Sequence, residues 1–539
     1  MISGAEIMVK CLQEEGVKIV FGYPGAVICP FFDHLYDTDI QAVLVRQEQN
    51  AAHAASGYAR AVSKVGVCVA TSGPGALNLI TGIATAYMDS IPMVAITGQV
   101  RSDVLGRDVF QEADITGACE SFVKHSYLVK NTEDLPRIFK EAFHIAATGR
   151  PGPVLIDVPV DVQENMIENF EYPEKVNIIG YKPSVHGHPM QIKRAMEMIA
   201  QSKRPVICAG GGVLTSGAKP KLREFSKRTN IPVVSTMMGI GVMPSNDPLY
   251  VGMIGSHGTK AANKTIHEAD LVILCGARVG DRAVASPEQV VEHANVIHID
   301  IDPAEIGKNM KTTIPIVGDI KNVLYQMLKS IDYSAPDEWL NDIRSWQENY
   351  RRIPEKFEGF VEPKTFISKL SSMMHSKSIL IADVGQNQIW CANNFQVSDG
   401  RFFTSGGMGT MGYSVPAAVG AKFARPNRNV VAVCGDGAFQ MSLNELATIA
   451  QNHLNVKIIV MENNVLGMVH ELQDMHYGSR YAITELSNVP DFRQLAAAYG
   501  IDSACACSNE EAEQYAKQML KSSKPFILIC KIHPKTSSR

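Results

Sequence analysis

Nowhere in its 539 residues does the chain hold an apolar run approaching the roughly 18 residues that a helix needs to cross a bilayer. It has no excess of basic charge: 51 Lys and Arg against 55 Asp and Glu leave a net charge of −4. That balance argues against a nucleic-acid partner, whose phosphates favour a basic stripe. No short repeat is visible, although the first and third blocks of the chain, at 1–162 and 363–533, could be the same architecture used twice. Clustered cysteines are missing too. The 11 thiols are scattered, several inside apolar runs (Cys68, Cys208, Cys275, Cys434, Cys530). They are read as buried free thiols in a reducing, cytoplasmic compartment rather than as disulfides or a metal cluster. Cys505 and Cys507 alternate with alanine and are expected to pack on one strand face. No secretory signal is expected, because Ser3-x-x-Glu6 followed by Ile7, Met8, Cys11 and Leu12 predicts a capped amphipathic helix at the start.

What is present is an ordinary globular composition, 20% charged and 45% hydrophobic. The length is too great for one core and implies about three domains. Three blocks of alternating strands and helices can be drawn, at 1–162, 188–330 and 363–533. Strand-like pieces fall at 19–21, 43–45, 65–70, 93–97 and 154–158 in the first block. They recur at 205–209, 271–274 and 296–301 in the second, and at 379–383, 429–434 and 456–461 in the third. Polar stretches at 163–187 and 334–363 read as linkers. The predicted class is α/β, three doubly wound domains with parallel sheets covered on both faces.

Asp436 and Asn463 are the most informative pair, within GDGAFQMSLNELATIAQNHLNVKIIVMEN. The apolar stretches before each residue read as strands, and Ser442-x-x-Glu445 reads as a capping box opening a helix between them. A strand–helix–strand crossover of this length makes the strands parallel, so both residues sit at carboxyl ends, where open α/β sheets bind ligands. One carboxylate and one amide oxygen do not fill the shell of a hard cation, and Mg²⁺ takes about six oxygens, some from water and substrate phosphates. The pair therefore predicts a Mg²⁺–diphosphate site.

A lone Gly435-Asp436-Gly437 serves many turns, but with Asn463 at this spacing it resembles the signature of the thiamine diphosphate (ThDP) enzymes. The resemblance implies Asp436, Asn463 and the Val465 carbonyl as Mg²⁺ ligands, with Gly467 and Met468 continuing the motif. Relatives have NNG where this chain reads ENN, and keeping the downstream segment in register selects Asn463 and makes Asn464 a bystander. A second segment, RQEQNAAHAASGYAR at 46–60, is similar to the family stretch whose glutamate contacts N1′ of the aminopyrimidine. Glu48 takes that place and is expected to be desolvated, so that it shares a proton at neutral pH. A third, TSGGMGTMGYSVPAA at 404–418, resembles the loop that wedges the cofactor into a V shape. It implies Met411 as the wedge and the Gly409 carbonyl as acceptor of the 4′-amino group. Gly385, Gln386 and Asn387 lie where relatives contact the diphosphate, Asn387 replacing a histidine.

FGYPGAVICPFFDHLY, TSGPGALNLITGIATAYMDSIPMVAITGQV, DVFQEADI, GRPGPVLIDVP, PVVSTMMGIGVMP, HIDIDPAEIGKN and ELATIAQNHLNVKIIV narrow the resemblance to the acetohydroxyacid (acetolactate) synthase family, over about residues 3 to 500. It implies a decarboxylating carboligase that condenses two pyruvates to 2-acetolactate, with Glu48, Gln111, Lys124 and Arg282 as catalytic residues. Arg282 would clamp the carboxylate of the second 2-ketoacid; alone, it would read as a surface partner of Asp281. Gly25, Phe110, Met253 and Leu472 would line the substrate pocket. The resemblance further implies a homodimer or tetramer with the active site between subunits, and a regulatory subunit.

The middle block resembles the family's flavin domain at Gly210, Gly211, Gly212, Arg278, Asp300 and Asp319, which implies structural FAD, since the condensation is redox-neutral. Several positions depart from the family. Leu472 stands where relatives carry the Trp that favours 2-ketobutyrate, Val160 replaces a Lys, and Val279-Gly280 replaces Phe-Asp beside Arg282. These motivate the alternatives: another ThDP-dependent decarboxylase, acetyltransferase or lyase, or a non-catalytic paralogue.

Overall fold

Three parallel six-stranded sheets, each flanked by helices, follow one another along the chain in the computed structural model, which describes residues 1–350 and 354–538. The first domain contains β1 (Ile2–Ser3), β2 (Ile19–Tyr23), β3 (Gln41–Leu44), β4 (Gly66–Ala70), β5 (Met93–Gln99), β6 (His125–Leu128), β7 (Pro153–Pro159) and β8 (Met166–Ile167). Its sheet runs β3-β2-β4-β5-β7-β6. The central domain contributes β9 (Pro205–Ala209), β10 (Val233–Ser235), β11 (Tyr250–Met253), β12 (Leu271–Cys275), β13 (Asn295–Asp300) and β14 (Ile314–Val317), in the order β11-β10-β9-β12-β13-β14. The third has β15 (Ile379–Ala382), β16 (Arg401–Phe403), β17 (Val430–Gly435), β18 (Val456–Glu462), β19 (Asp502–Ala506) and β20 (Phe526–Lys531), ordered β16-β15-β17-β18-β20-β19.

In each sheet the chain starts near the middle, winds outward one way and then the other. The order reverses between β2 and β4, between β9 and β12, and between β15 and β17. At such a switch point the loops leave in opposite directions and open a crevice beyond the carboxyl ends of the strands. Three crevices are thus dictated by topology alone.

The expected linkers are more structured than their composition suggests. Residues 163–187 begin inside the helix Val160–Glu164, add the β8 strand that pairs antiparallel with β1, and lay Phe170, Tyr172, Ile178 and Tyr181 on the first domain's core. The connector at 334–363 contains the helix Asp337–Asn349, whose Trp339 and Ile343 are buried in the central core, with the Trp339 indole donating to Pro205 O at 3.0 Å. Residues 351–353 of that connector lie outside the described residues.

The first and third domains share a core. The alanine-rich helix Glu48–Val62 crosses the helix Ser414–Ala424, and glycines set the spacing. A Cβ on Gly57 would lie 2.0 Å from Ala417 O, and one on Gly420 would lie 1.8 Å from Ala54 O. Only glycine lets the backbones approach so closely. Eight cysteines are buried free thiols, but Cys29 and Cys507 are exposed. The second exception corrects the expected packing pair, because β19 ends at Ala506 and Cys507 falls beyond it.

Candidate active site

The crevice between β15 and β17 is lined by the residues singled out in the sequence. Gly385 caps the helix Gln386–Asn394 at a φ of +131°, which disfavours any side chain. Asn387 is buried and donates to Asp383 O at 2.8 Å and Val433 O at 3.2 Å, tying the ends of the two strands together. Its Oδ1 faces Gly385 and Gly435; a Cβ on either would approach it to 3.0 and 3.5 Å.

Asp436 opens the helix Asp436–Gln440 directly after β17. Its carboxylate accepts from Gly437 N at 2.9 Å, Asn463 N at 3.1 Å and Asn464 N at 2.6 Å. Burial nevertheless pushes it up to about 6, with Glu462 adding in the same direction. Asn463, beyond β18, donates from Nδ2 to Gln386 Oε1 at 3.1 Å, while its Oδ1 accepts from Val465 N at 3.2 Å. A Cβ on Gly467 would sit 2.0 Å from Gln386 Oε1, so the start of the helix Gly467–His476, where Met468 follows, requires glycine. Asn464 is not a bystander in its backbone: at a φ of +59° it turns its N–H onto Asp436.

These donors suit a hard divalent cation. Asp436 is a desolvated carboxylate whose neighbours supply N–H groups but no compensating cationic side chain, and the amide oxygen of Asn463 stands on the adjacent strand end. Asp436, Asn463 and the Val465 carbonyl would supply oxygens, leaving the rest of a Mg²⁺ shell to water and a diphosphate.

The expected capping box does not form. Ser442 Oγ is buried without a partner, the residues after it make only a 3₁₀ turn (Leu443–Glu445), and the α-helix starts at Leu446. Glu445 reaches into the first domain instead. Composition alone does not separate a cap from a buried tether three residues on.

The third-domain loop that carries Gly409 and Met411 is clamped from two domains. Asp383, fully buried, accepts from Gly412 N at 2.9 Å and Ser414 N at 2.8 Å. From the first domain, Asp89 accepts from Gly407 N at 2.7 Å, Thr85 bonds Thr410 at 2.7 Å, and Arg60 donates to Thr404 O at 2.8 Å. None of these clamps was singled out in the sequence; Asp383, the last residue of the strand expected at 379–383, was the one nearest to hand. A Cβ on Gly437 would lie 3.7 Å from the Met411 methyl, so the expected wedge stands beside the Asp436 turn.

At the first domain's switch point, Gly25 packs so closely on Thr71 that a Cβ would come within 2.5 Å. Glu48 is the first residue of its helix and accepts from Asn78 Nδ2 at 2.9 Å. The glutamate is half-buried rather than desolvated within the single chain, because its helix end faces outward. Gln111, at a φ of +59°, rests on Gly73, where a Cβ would lie 2.9 Å from its carbonyl.

Other expected site residues stand elsewhere. All three protons of Lys124 are directed at protein acceptors: Ile145 O, Thr148 O at 2.7 Å and Tyr181 Oη at 2.9 Å. Burial lowers its ammonium to about 8. It terminates the helix Leu135–Ala147 and has no donor left for a substrate. Met253 is 3% exposed and packs into the core shared with the third domain, not a pocket. Arg282 is exposed, with Nε 3.8 Å from Asp281. Phe110 and Leu472 are exposed at 87% and 43%, on a loop and on the helix Gly467–His476.

In the central crevice, Cβ atoms on Gly210 and Gly212 would meet the Gly276 backbone at 2.1 and 2.9 Å, and one on Gly211 would meet Met238 at 3.1 Å. The glycines therefore serve close packing of the β9 and β12 ends. Asp319 caps the helix Ile320–Leu328, and Asp300, pushed up to about 6 by burial, accepts from Asp302 N at 2.9 Å. Arg278 is half-buried beside Asp89 and the Gly407 turn.

Comparison with known proteins agrees with this geometry. Models described as the thiamine pyrophosphate enzyme N-terminal TPP binding domain, central domain and C-terminal TPP binding domain match residues 2–118, 192–327 and 383–530. The probable acetolactate synthase large subunit of Methanocaldococcus jannaschii is 46% identical, over 99% of this chain and 92% of that protein. The isozyme 3 large subunit of Escherichia coli is 44% identical, and the large subunit of Haemophilus influenzae 43%, each over 93% of this chain and 89% of its own length. The chain belongs to the thiamine pyrophosphate (ThDP) enzyme family, among the acetolactate synthase large subunits.

Proposed function

We propose that the protein is a ThDP- and Mg²⁺-dependent acetolactate synthase that condenses two pyruvates to 2-acetolactate with loss of CO2. The observation that carries this reading is the buried Asp436 carboxylate beside Asn463 at two adjacent strand ends, in a chain whose domains all match the family. Bound ThDP supplies the carbon nucleophile and electron sink that 2-ketoacid decarboxylation needs.

The residues divide the remaining work. Asp436, Asn463 and the Val465 carbonyl hold Mg²⁺, and Gly385, Gln386, Asn387, Gly467 and Met468 bound the space for a diphosphate. Glu48 holds and releases a proton at its carboxyl, beside Asn78. Its desolvation comes from a second subunit, so the working form is a homodimer or a tetramer built from dimers. Met411 keeps water out, and a dry pocket favours loss of the localised carboxylate charge. The Gly409 carbonyl would serve as the acceptor of the cofactor's amino group. Arg282 clamps the second 2-ketoacid; its exposed pairing with Asp281 is worth under about 1 kcal/mol and is readily exchanged. Leu472 shapes the acceptor side and, smaller than Trp, weakens preference for a 2-ketobutyrate acceptor.

FAD bound at the central crevice by Gly210–Gly212, Arg278, Asp300 and Asp319 is structural, and a visible absorption spectrum of the purified protein reads it directly. The relatives are named large subunits, so a small regulatory subunit is the expected partner. No helix among the described residues is long and apolar enough to cross a membrane; a cytoplasmic site fits the buried thiols and the pyruvate substrate. The test is product mass spectrometry on purified protein with ThDP and Mg²⁺, given pyruvate alone and pyruvate with 2-ketobutyrate. Acetolactate is expected in both cases; acetaldehyde as the sole product sinks the reading.

A further inference from the structure

Glu48 is the first residue of its helix, where the backbone N–H has no intrahelical acceptor. Its side chain accepts from Asn78 Nδ2 at 2.9 Å. The chain around it is held by a carboxylate from another domain. Glu445 is fully buried, and its Oε1 accepts from Arg46 N at 2.7 Å and from Asn50 Nδ2 at 3.0 Å. Its Oε2 lies 2.6 Å from Thr448 Oγ1, which in turn lies 3.2 Å from Leu44 O. The Arg46 guanidinium completes the frame, donating to Leu44 O at 3.1 Å and to Gln451 Oε1 at 2.6 Å. The contacts fall at residues 44, 46 and 50, on both sides of Glu48, and apart from the Arg46–Leu44 bond they come from 444–451 of the third domain.

We propose that Glu445 is a positioning residue: it fixes the backbone entering the helix Glu48–Val62 and so sets where the Glu48 carboxyl stands. The proposal rests on the reading of Glu48 as the proton-handling group. Holding the two domains together does not require this carboxylate, since the Gly57–Gly420 helix crossing and Arg60 already do so. Burial raises the Glu445 carboxyl above its ordinary value. Thr448 Oγ1 donates to Oε2 and has Leu44 O within reach as a second acceptor. Glutamine keeps Oε1 as the acceptor of Arg46 N and presents Nε2 to Thr448 Oγ1, leaving that hydroxyl for Leu44 O. Leucine leaves the Arg46 N–H unpaired and leaves the Asn50 amide only the longer bond to Asn444 Oδ1 at 3.4 Å.

The experiment compares Glu445→Leu, Glu445→Gln and Thr448→Val, each in the native and the Glu48→Gln background, on the full chain. With ThDP, Mg²⁺ and pyruvate, Glu445→Leu is expected to lower kcat about 10- to 100-fold, the cost of a misplaced reacting group. KM should stay within about threefold and Glu445→Gln near the parent. In the Glu48→Gln background the Glu445→Leu loss should vanish, because the group it positions is gone. Without cofactor, amide hydrogen exchange at 44–52 should be faster in Glu445→Leu and unchanged in Glu445→Gln. An equal loss in both backgrounds, or unchanged exchange at 44–52, overturns the proposal. Should Glu445→Leu misfold, Thr448→Val carries the same tests, since it removes the hydroxyl that links Glu445 to Leu44 O while the carboxylate stays on Arg46 N and Asn50. If the parent makes nothing from pyruvate, the reading of function fails, while the cofactor-free exchange still decides the role of Glu445.

Discussion

Asp436 should cost the metal-free protein stability, and the cost can be worked out. The carboxyl stands at about 6 in the folded chain against an ordinary 3.8, and the residue is 1% exposed, so solvent screens little of the difference. Because the folded state holds this proton more tightly than the unfolded one, protonation stabilises the fold, fully below the ordinary value. That contribution fades as pH rises from about 4 and is gone above about 6, a loss of about 3 kcal/mol. Asp436→Asn has no such titration. Between pH 4 and pH 7.5 the variant should therefore gain about 2–3 kcal/mol relative to the parent. For a domain of this size that is about 5–10 °C in the melting point of the third-domain transition. Calorimetry of both proteins at the two pH values, without metal, measures it. With Mg²⁺ and ThDP the order should invert, since ligand binding stabilises only the protein with the carboxylate. If the difference between the two proteins does not change with pH, or Mg²⁺ and ThDP protect both equally, the buried-carboxylate reasoning is wrong.

Three further outcomes follow from other parts of the molecule. Gly420→Ala drives a Cβ to 1.8 Å from Ala54 O, and the forced separation of the two helices should cost about 1–3 kcal/mol or more in denaturant titration. Lys124→Met should leave kcat with pyruvate near the parent value while lowering stability by about 1–3 kcal/mol, because its donors serve helix-end carbonyls rather than substrate; a large drop in kcat alone would restore it to the site. Leu472→Trp should raise the share of 2-ketobutyrate-derived product in a competition with pyruvate, read by mass spectrometry.

Much of the architecture was legible because central parallel strands are buried on both faces and read as unbroken apolar runs, as at β12 and β17. The strands that escaped notice are largely at sheet edges. β6, β11, β14, β16 and β19 are short and partly polar, or in β14 contain Pro315, features that discourage edge-to-edge pairing. In the site, Asp436 and Asn463 were legible because strand ends leave a local mark, whereas Gly385 and Gly467 were reached through the family resemblance. Lys124, Met253 and Glu445 were misread because their partners, Tyr181, the third-domain core and Arg46, are distant in sequence. No local pattern of residues distinguishes a substrate-facing lysine from one that ends a helix.

The central claim is that this chain joins two pyruvates at a ThDP–Mg²⁺ site that uses Glu48 and Asp436. Its most direct measurement is the stoichiometry of the purified protein with ThDP, Mg²⁺ and labelled pyruvate, followed by carbon NMR alongside Glu48→Gln and Asp436→Asn. The account predicts one acetolactate and one CO2 for every two pyruvates, strongly slowed in both variants. CO2 with free acetaldehyde and no acetolactate, or turnover untouched by either substitution, would contradict it.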